Sequence, residues 1–185
     1  MGEFRFTKTD FDGLIIVEPA LYGDERGFFM ETYNERDFRA NGIDVGFVQD
    51  NHSKSKKGVL RGMHFQVNNP QGKLVRVLSG EVYDVAVDLR KGSPTLGKWF
   101  GLTLSSENRS QLYVPEGFAH GFYVLSEFAE FAYKCTRFYE LSDELGVRYD
   151  DPLLAIEWPY EGDPIVSKKD LALPSLHAVM ESLRQ

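Results

Sequence analysis

The sequence predicts an all-β domain, a jelly-roll barrel or sandwich with a few short peripheral helices. Three observations predict it. Short runs of alternating polar and apolar residues recur along the chain, each separated from the next by Gly, Pro, Asn or Asp. Aromatic and β-branched side chains, which pack well on a pleated surface, fill these runs. Helical signals are confined to two brief segments.

Taken in order, the runs Leu14–Glu18, Gly27–Thr32, Phe47–Lys54, Val59–Phe65, Lys73–Leu78, Val82–Leu89, Lys98–Leu104, Gln111–Val114, His120–Leu125 and Glu130–Arg137 read as strands. In the Val82–Leu89 run, Tyr83, Val85, Val87 and Leu89 share one face, and Asp84, Ala86 and Asp88 the other. Asn34 is a cap for a short helix through Ala40, and Ser175 is a cap for the closing LHAVMESLRQ segment. Turns are explicit at Lys57-Gly58, Ser79-Gly80-Glu81, Lys91-Gly92-Ser93-Pro94 and Pro115-Glu116-Gly117. No repeat or linker interrupts the pattern, so residues 1–185 read as one domain, long enough to bury a sizeable core. The N-terminal runs are candidates to pair across a dimer interface and cover a sheet edge.

Apolar residues make up 42% of the chain and charged residues 26%, the balance of a soluble globular protein. No apolar run is long enough to span a bilayer. The opening MGEFRFTKTDFDG has no signal-peptide core, so a cytoplasmic location without membrane partners is expected. The lone Cys135 excludes an internal disulfide, and its alternating FAYKCT setting reads as a buried structural thiol. A net charge of −7 argues against nucleic acid as a partner. It leaves room for a small anionic ligand, because an enclosed site feels nearby cations far more than distant surface charge.

Two segments carry the chemistry. RGMHFQ at 61–66 and PEGFAH at 115–120 look like the halves of a cupin-type motif stripped of most of its metal ligands. The first half offers His64 but has Gln66 where a second His would stand, and Lys73 where a Glu is expected. The second half keeps His120. Two imidazoles and a lysine make a poor divalent-metal cage, and His52, in QDNHSKS, is expected to face solvent rather than complete one. The same groups suit proton transfer beside an anion. No Gly-rich dinucleotide loop follows a strand, so neither metal nor nicotinamide cofactor is expected.

The blocks RGMHFQ, QGKLVRVLSGEVYDVAVDLRKGSPTLGKW, YVPEGFAHGF, FAYKCTRFY, GVRYDDPLLAIEWP and SKKD together resemble the dTDP-4-dehydrorhamnose 3,5-epimerase family over nearly the whole chain. The resemblance implies a metal-free cupin-type jelly roll. It implies inversion of C3 and C5 of dTDP-4-dehydro-6-deoxy-D-glucose by proton removal and return on the opposite face. By the same resemblance His64 is the base, Asp170 its orienting carboxylate, Lys73 the electrophile for the enolate oxygen and Tyr133 the acid. Arg26, Phe28, Glu31, Gln49, Asn51, Arg61, His120, Tyr139, Glu144 and Lys169 match substrate-binding positions, with Tyr139 at the place that stacks on thymine. Lys73, beginning a strand beside that of His64, is expected to face the same cavity. Asp84 is expected to orient His120. The resemblance also implies a homodimer. Related outcomes for the same scaffold are a single-centre epimerase and a 3,4-ketoisomerase. A metal-dependent cupin and a non-catalytic sugar-binding cupin are the readings from other classes.

Overall fold

A computed structural model describes residues 3–183. Two antiparallel sheets face each other across an apolar interior, as the alternating runs predict. The first contains β1 (Phe4–Lys8), β2 (Ile15–Pro19), β10 (Gln111–Val114), β7 (Lys73–Ser79), β12 (Phe128–Cys135) and β5 (Gln49–Lys56), in that spatial order. The second runs β13 (Glu144–Gly146), β6 (Val59–Gln66), β11 (Phe118–Val124), β8 (Glu81–Asp88) and β9 (Trp99–Ser105). The two-residue β14 (Ile165–Val166) joins β6 in parallel. β3 (Tyr22–Asp24) and β4 (Gly27–Phe29) form a separate exposed hairpin.

Three apolar layers hold the sheets. Between them lie Val75, Val77, Val82, Ala86, Leu104, Leu112, Phe122 and Phe131. The outer face of the second sheet, through Leu60, Met63, Val85 and Val87, is covered by Val147, Leu154, Trp158, Leu176 and Val179 from the C-terminal segment. The outer face of the first, through Ile15, Val17, Leu74 and Tyr113, is covered by Phe38 and Ile43. Phe38 is almost fully buried, which contributes about 2–3 kcal/mol. It makes edge contacts with Phe4 and Phe6 at centroid distances of 5.3 and 5.2 Å. β8 shows why its alternation reads so clearly: Val85 and Val87 serve the outer layer and Val82 and Ala86 the inner one.

Both expected helix caps are present. Asn34 Oδ1 accepts from Arg36 N at 3.1 Å to start α1 (Glu35–Ala40). Ser175 Oγ accepts from Ala178 N at 3.3 Å below α3 (Leu176–Ser182), and the last two residues of the predicted segment, 184–185, lie outside the described residues. A further one-turn helix, α2 (Lys168–Leu171), is capped by Ser167. No helix among the described residues is long and apolar enough to cross a membrane.

The strand expected over Gly27–Thr32 stops at Phe29, because it pairs only with Tyr22–Asp24 before the chain turns to the α1 cap. β1 was not legible: Phe4 and Phe6 owe their setting to Phe38, a tertiary contact. β13 and β14 are too short to show a period.

At the heart of the second sheet, β6 and β11 approach unusually closely. A Cβ on Gly62, whose φ is +123°, would lie 2.6 Å from Gly121 Cα and 2.9 Å from His120 O. Glycine is required there by backbone sterics. The close approach sets His64 directly opposite His120 in the ladder.

Candidate active site

A cavity of about 620 Å³ opens between the two sheets. Its wall includes His64, Arg61 and His120 from the second sheet, Asn51, Lys73 and Tyr133 from the first, and Lys169 and Asp170 from α2. Eight of the expected residues therefore meet in one space. On β12 alternation explains this, since Tyr133 follows the inward-facing Phe131 at the two-residue period; on β6 an irregularity in the ladder with β11 lets Arg61 and His64, three residues apart, both reach the cavity.

His64 and Asp170 are 2.8 Å apart, Nε2 to Oδ1, and Asp170 Oδ2 accepts from the Gly62 amide at 3.3 Å. Burial pushes the Asp170 carboxyl up, but the hydrogen bond and charge of His64 and the Gly62 amide outweigh it and hold it below the usual carboxylate range. The carboxylate is therefore ionised and His64 Nε2–H donates to it. In a neutral imidazole that arrangement leaves Nδ1 with its lone pair. Asp170 is buried, while the imidazole is partly open to the cavity. The capping of α2 by Ser167 is what turns this distant carboxylate toward β6.

Lys73 does not lie beside the His64 strand. It starts β7 in the opposite sheet, paired with Cys135 and Val114, and reaches the cavity from across the barrel. Consecutive strands of a jelly roll cross between sheets, so sequence adjacency misleads here. Desolvation lowers the Lys73 pKa below the lysine range. Burial likewise raises the Tyr133 phenol above its usual value, so it is neutral across the physiological range. Tyr133 pairs with Asn51 in the ladder, and its ring lies 6.1 Å from that of Phe131, which in turn stacks at 6.1 Å on His120.

The expected Asp84 contact is present: His120 Nε2 lies 2.9–3.0 Å from both Asp84 oxygens, with Asp84 fully buried. Arg61 Nε donates to Ser55 Oγ at 3.0 Å, and among the described residues neither terminal nitrogen makes a hydrogen bond, which suits them to meet an anion. His52 is exposed and lies 3.2 Å from Glu130. The described residues contain no group of three or more His, Cys, Asp or Glu arranged to hold a metal.

Gln49, Tyr139 and Glu144 form a connected rim rather than part of the wall. Tyr139 N donates to Gln49 Oε1 at 2.9 Å, Gln49 Nε2 donates to Asn51 Oδ1 at 3.1 Å, and Asn51 Nδ2 donates to Cys135 Sγ at 3.5 Å. Glu144 accepts from the Tyr139 hydroxyl and, at 2.6 Å, from Lys169 Nζ. That hydrogen bond raises the Tyr139 pKa to about 12.

Three expected residues lie elsewhere in this chain. Arg26 and Phe28 sit on the β3–β4 hairpin and line a separate groove, with Arg26 paired to Asp24. The Arg109 guanidinium lies 5.0 Å over the Phe28 ring. Glu31 Oε1 accepts from Asn34 at 3.0 Å, and its Oε2 is buried with no hydrogen-bond partner among the described residues. Sequence reasoning missed Ser55 and gave Gln66 no role beyond replacing a metal ligand. Their signal is their two-residue phase with the inward-facing positions of β5 and β6.

Comparison with known proteins matches this architecture to one family. The family model for dTDP-4-dehydrorhamnose 3,5-epimerase matches residues 8–178. A dTDP-4-dehydrorhamnose 3,5-epimerase from Methanothermobacter thermautotrophicus is 58% identical over 172 residues, spanning 92% of this chain and 93% of the relative. One from Salmonella typhimurium is 57% identical over 171 residues, spanning 91% and 93%. The crystal structure of a Legionella pneumophila dTDP-6-deoxy-D-glucose-3,5-epimerase in complex with dTDP-4-keto-L-rhamnose is similar with a TM-score of 0.95 at 52% identity, covering 98% of this chain and 97% of that one. The likeness thus extends over both sheets, the cavity and the α2 segment that supplies Asp170, and the chain belongs to the dTDP-4-dehydrorhamnose 3,5-epimerase family of isomerases.

Proposed function

We propose that this chain inverts C3 and C5 of dTDP-4-dehydro-6-deoxy-D-glucose to give dTDP-4-dehydro-L-rhamnose. The observation that carries the reading is a His64–Asp170 pair on one wall of the cavity with Lys73 and a neutral Tyr133 on the other. The C4 ketone acidifies the hydrogens on C3 and C5. His64 Nδ1 removes one of them, and Asp170 steadies the imidazolium that forms. The electron pair moves onto O4, where the Lys73 ammonium meets the developing charge. Tyr133 then returns a proton to the opposite face of the planar carbon, and before the second round the His64 imidazolium gives its proton to solvent while the Tyr133 phenolate takes one up. Repetition at the second carbon completes an isomerisation with no net gain or loss of atoms or electrons, so no cofactor is required.

Arg61 and Lys169 supply cations for the diphosphate, and His120, Asn51 and Gln49 supply polar contacts to the sugar and nucleotide. Tyr139 offers a face for the base and Glu144 fixes its hydroxyl. The separate hairpin is best explained by a homodimer in which the partner presents Arg26, Phe28 and Glu31 to this cavity. Residues 1–185 act as one domain, and the free buried Cys135 suits a reducing cytoplasmic setting.

Incubation with the substrate in heavy water, read by NMR, tests the reading. Deuterium at both C3 and C5 in the L-rhamno product supports it. Label at one carbon replaces double inversion with a single-centre reaction, and no label in protein that binds dTDP removes the catalytic role.

A further inference from the structure

Residues 137–140 leave β12 with no regular structure, and Phe138 and Tyr139 are 64% and 47% exposed. Such a segment ordinarily gives its backbone groups to water. Here each of its four residues bonds a glutamine side chain. Gln71 Nε2 donates to Arg137 O at 2.8 Å, and Gln66 Nε2 to Phe138 O at 3.2 Å. Tyr139 N donates to Gln49 Oε1 at 2.9 Å, and Glu140 N to Gln66 Oε1 at 2.7 Å. The glutamines come from three places: the start of β5, the end of β6 and the approach to β7. The segment is therefore tied to the barrel wall, not to itself.

Gln66 is the central member. It stands two residues from His64 on the same side of β6 and is only 3% exposed. Its second amide hydrogen goes to Asn69 O at 2.7 Å, so the buried amide has no unmet donor. Gln71 is also buried, at 8%. Both bury a polar group whose bonds go to an exposed loop, an arrangement that a merely packed barrel does not need.

We propose that Gln66 and Gln71 are positioning residues for nucleotide binding. They hold the Tyr139 segment in its binding geometry before the ligand arrives, with Glu144 fixing the far end of the ring. The inference rests on the reading of Tyr139 as the nucleobase face. A preformed platform spares the ligand the ordering cost that a free loop imposes.

The near-isosteric variants Gln66→Met and Gln71→Met separate these roles, with melting temperature checked first. Peptide-resolved hydrogen exchange of the ligand-free protein reads the order of residues 137–141, while calorimetry with dTDP and steady-state kinetics read binding and turnover. Faster exchange in the segment is expected, with the dTDP Kd and the substrate KM both rising about tenfold. At saturation kcat stays within about twofold of the parent, since only uniform binding is lost. Should either variant fail to fold, the other carries the test. Unchanged exchange in the folded variants overturns the clamp. Faster exchange with unchanged dTDP affinity overturns the positioning role, provided Tyr139→Ala does weaken dTDP. If Tyr139→Ala binds dTDP as well as the parent, the nucleobase role fails first and takes the inference with it.

Discussion

Asp170 reaches His64 across 106 residues of sequence, with 2.8 Å between Oδ1 and Nε2, and steadies the neighbouring Gly62 amide with its other oxygen. One carboxylate thus holds both the proposed base and the backbone beside it. Asp170→Asn keeps the shape but lets the amide donate, which favours the wrong imidazole tautomer. We expect kcat to fall by about 10³–10⁴, with dTDP affinity and melting temperature nearly unchanged. Single-turnover kinetics with calorimetry checks it; a loss below tenfold would sink the orienting role.

Tyr133→Phe separates proton removal from proton return. The variant should still wash substrate hydrogen into heavy water while forming at least tenfold less inverted product, roughly the lower end of general-acid effects. NMR of recovered substrate and product distinguishes the two rates. Equal losses in both would remove the phenol from the acid's role.

Lys73 and Tyr133 should mark the alkaline limit of activity in a definite order. Burial lowers the Lys73 pKa and raises that of Tyr133. Both shifts favour loss of the ammonium ahead of ionisation of the phenol as pH rises. The alkaline limb of kcat should therefore lie below the ordinary lysine value of 10.5 and persist in the deuterium-exchange profile of Tyr133→Phe. Lys73→Met should abolish that limb and lower kcat by about 10²–10³, the usual effect of removing one oxyanion donor.

Asp88 predicts acid sensitivity remote from the chemistry. It is fully buried, and burial alone would raise its pKa. Hydrogen bonds from Arg90, Ser93 and Thr95 win and hold it at about 2, against an ordinary 3.8. A carboxyl depressed in the folded state adds stability above its unfolded pKa and loses it as pH falls through the folded one. The network should thus contribute about 2 kcal/mol at neutral pH, lost between about pH 4 and pH 2. Denaturant midpoints of Asp88→Asn against the parent across that window test it; the gap should close on the acid side.

Much of this was legible in the chain, for a physical reason. Alternation survives wherever a strand has one face in each of two layers, as Val82, Ala86, Val85 and Val87 do on β8. The caps at Asn34 and Ser175 are local hydrogen bonds, and local bonds are written in adjacent residues. What escaped was set by distance. Residue patterns do not carry the crossing that puts Lys73 on the sheet opposite His64. Nor do they reveal three glutamines converging on residues 137–140, because each bond there spans at least 66 positions. The His64–Asp170 contact was reachable only through the likeness of the SKKD block to a family pattern.

The position of α2 has a consequence for synthesis. Every strand of the two sheets except the two-residue β14 lies before Val147. A ribosome therefore finishes nearly the whole hydrogen-bonded ladder before it adds the carboxylate at 170. His64 is made early and waits more than a hundred codons for its partner. The contact between the two side chains forms only after that wait, so chains stopped before residue 170 carry the imidazole without the carboxylate.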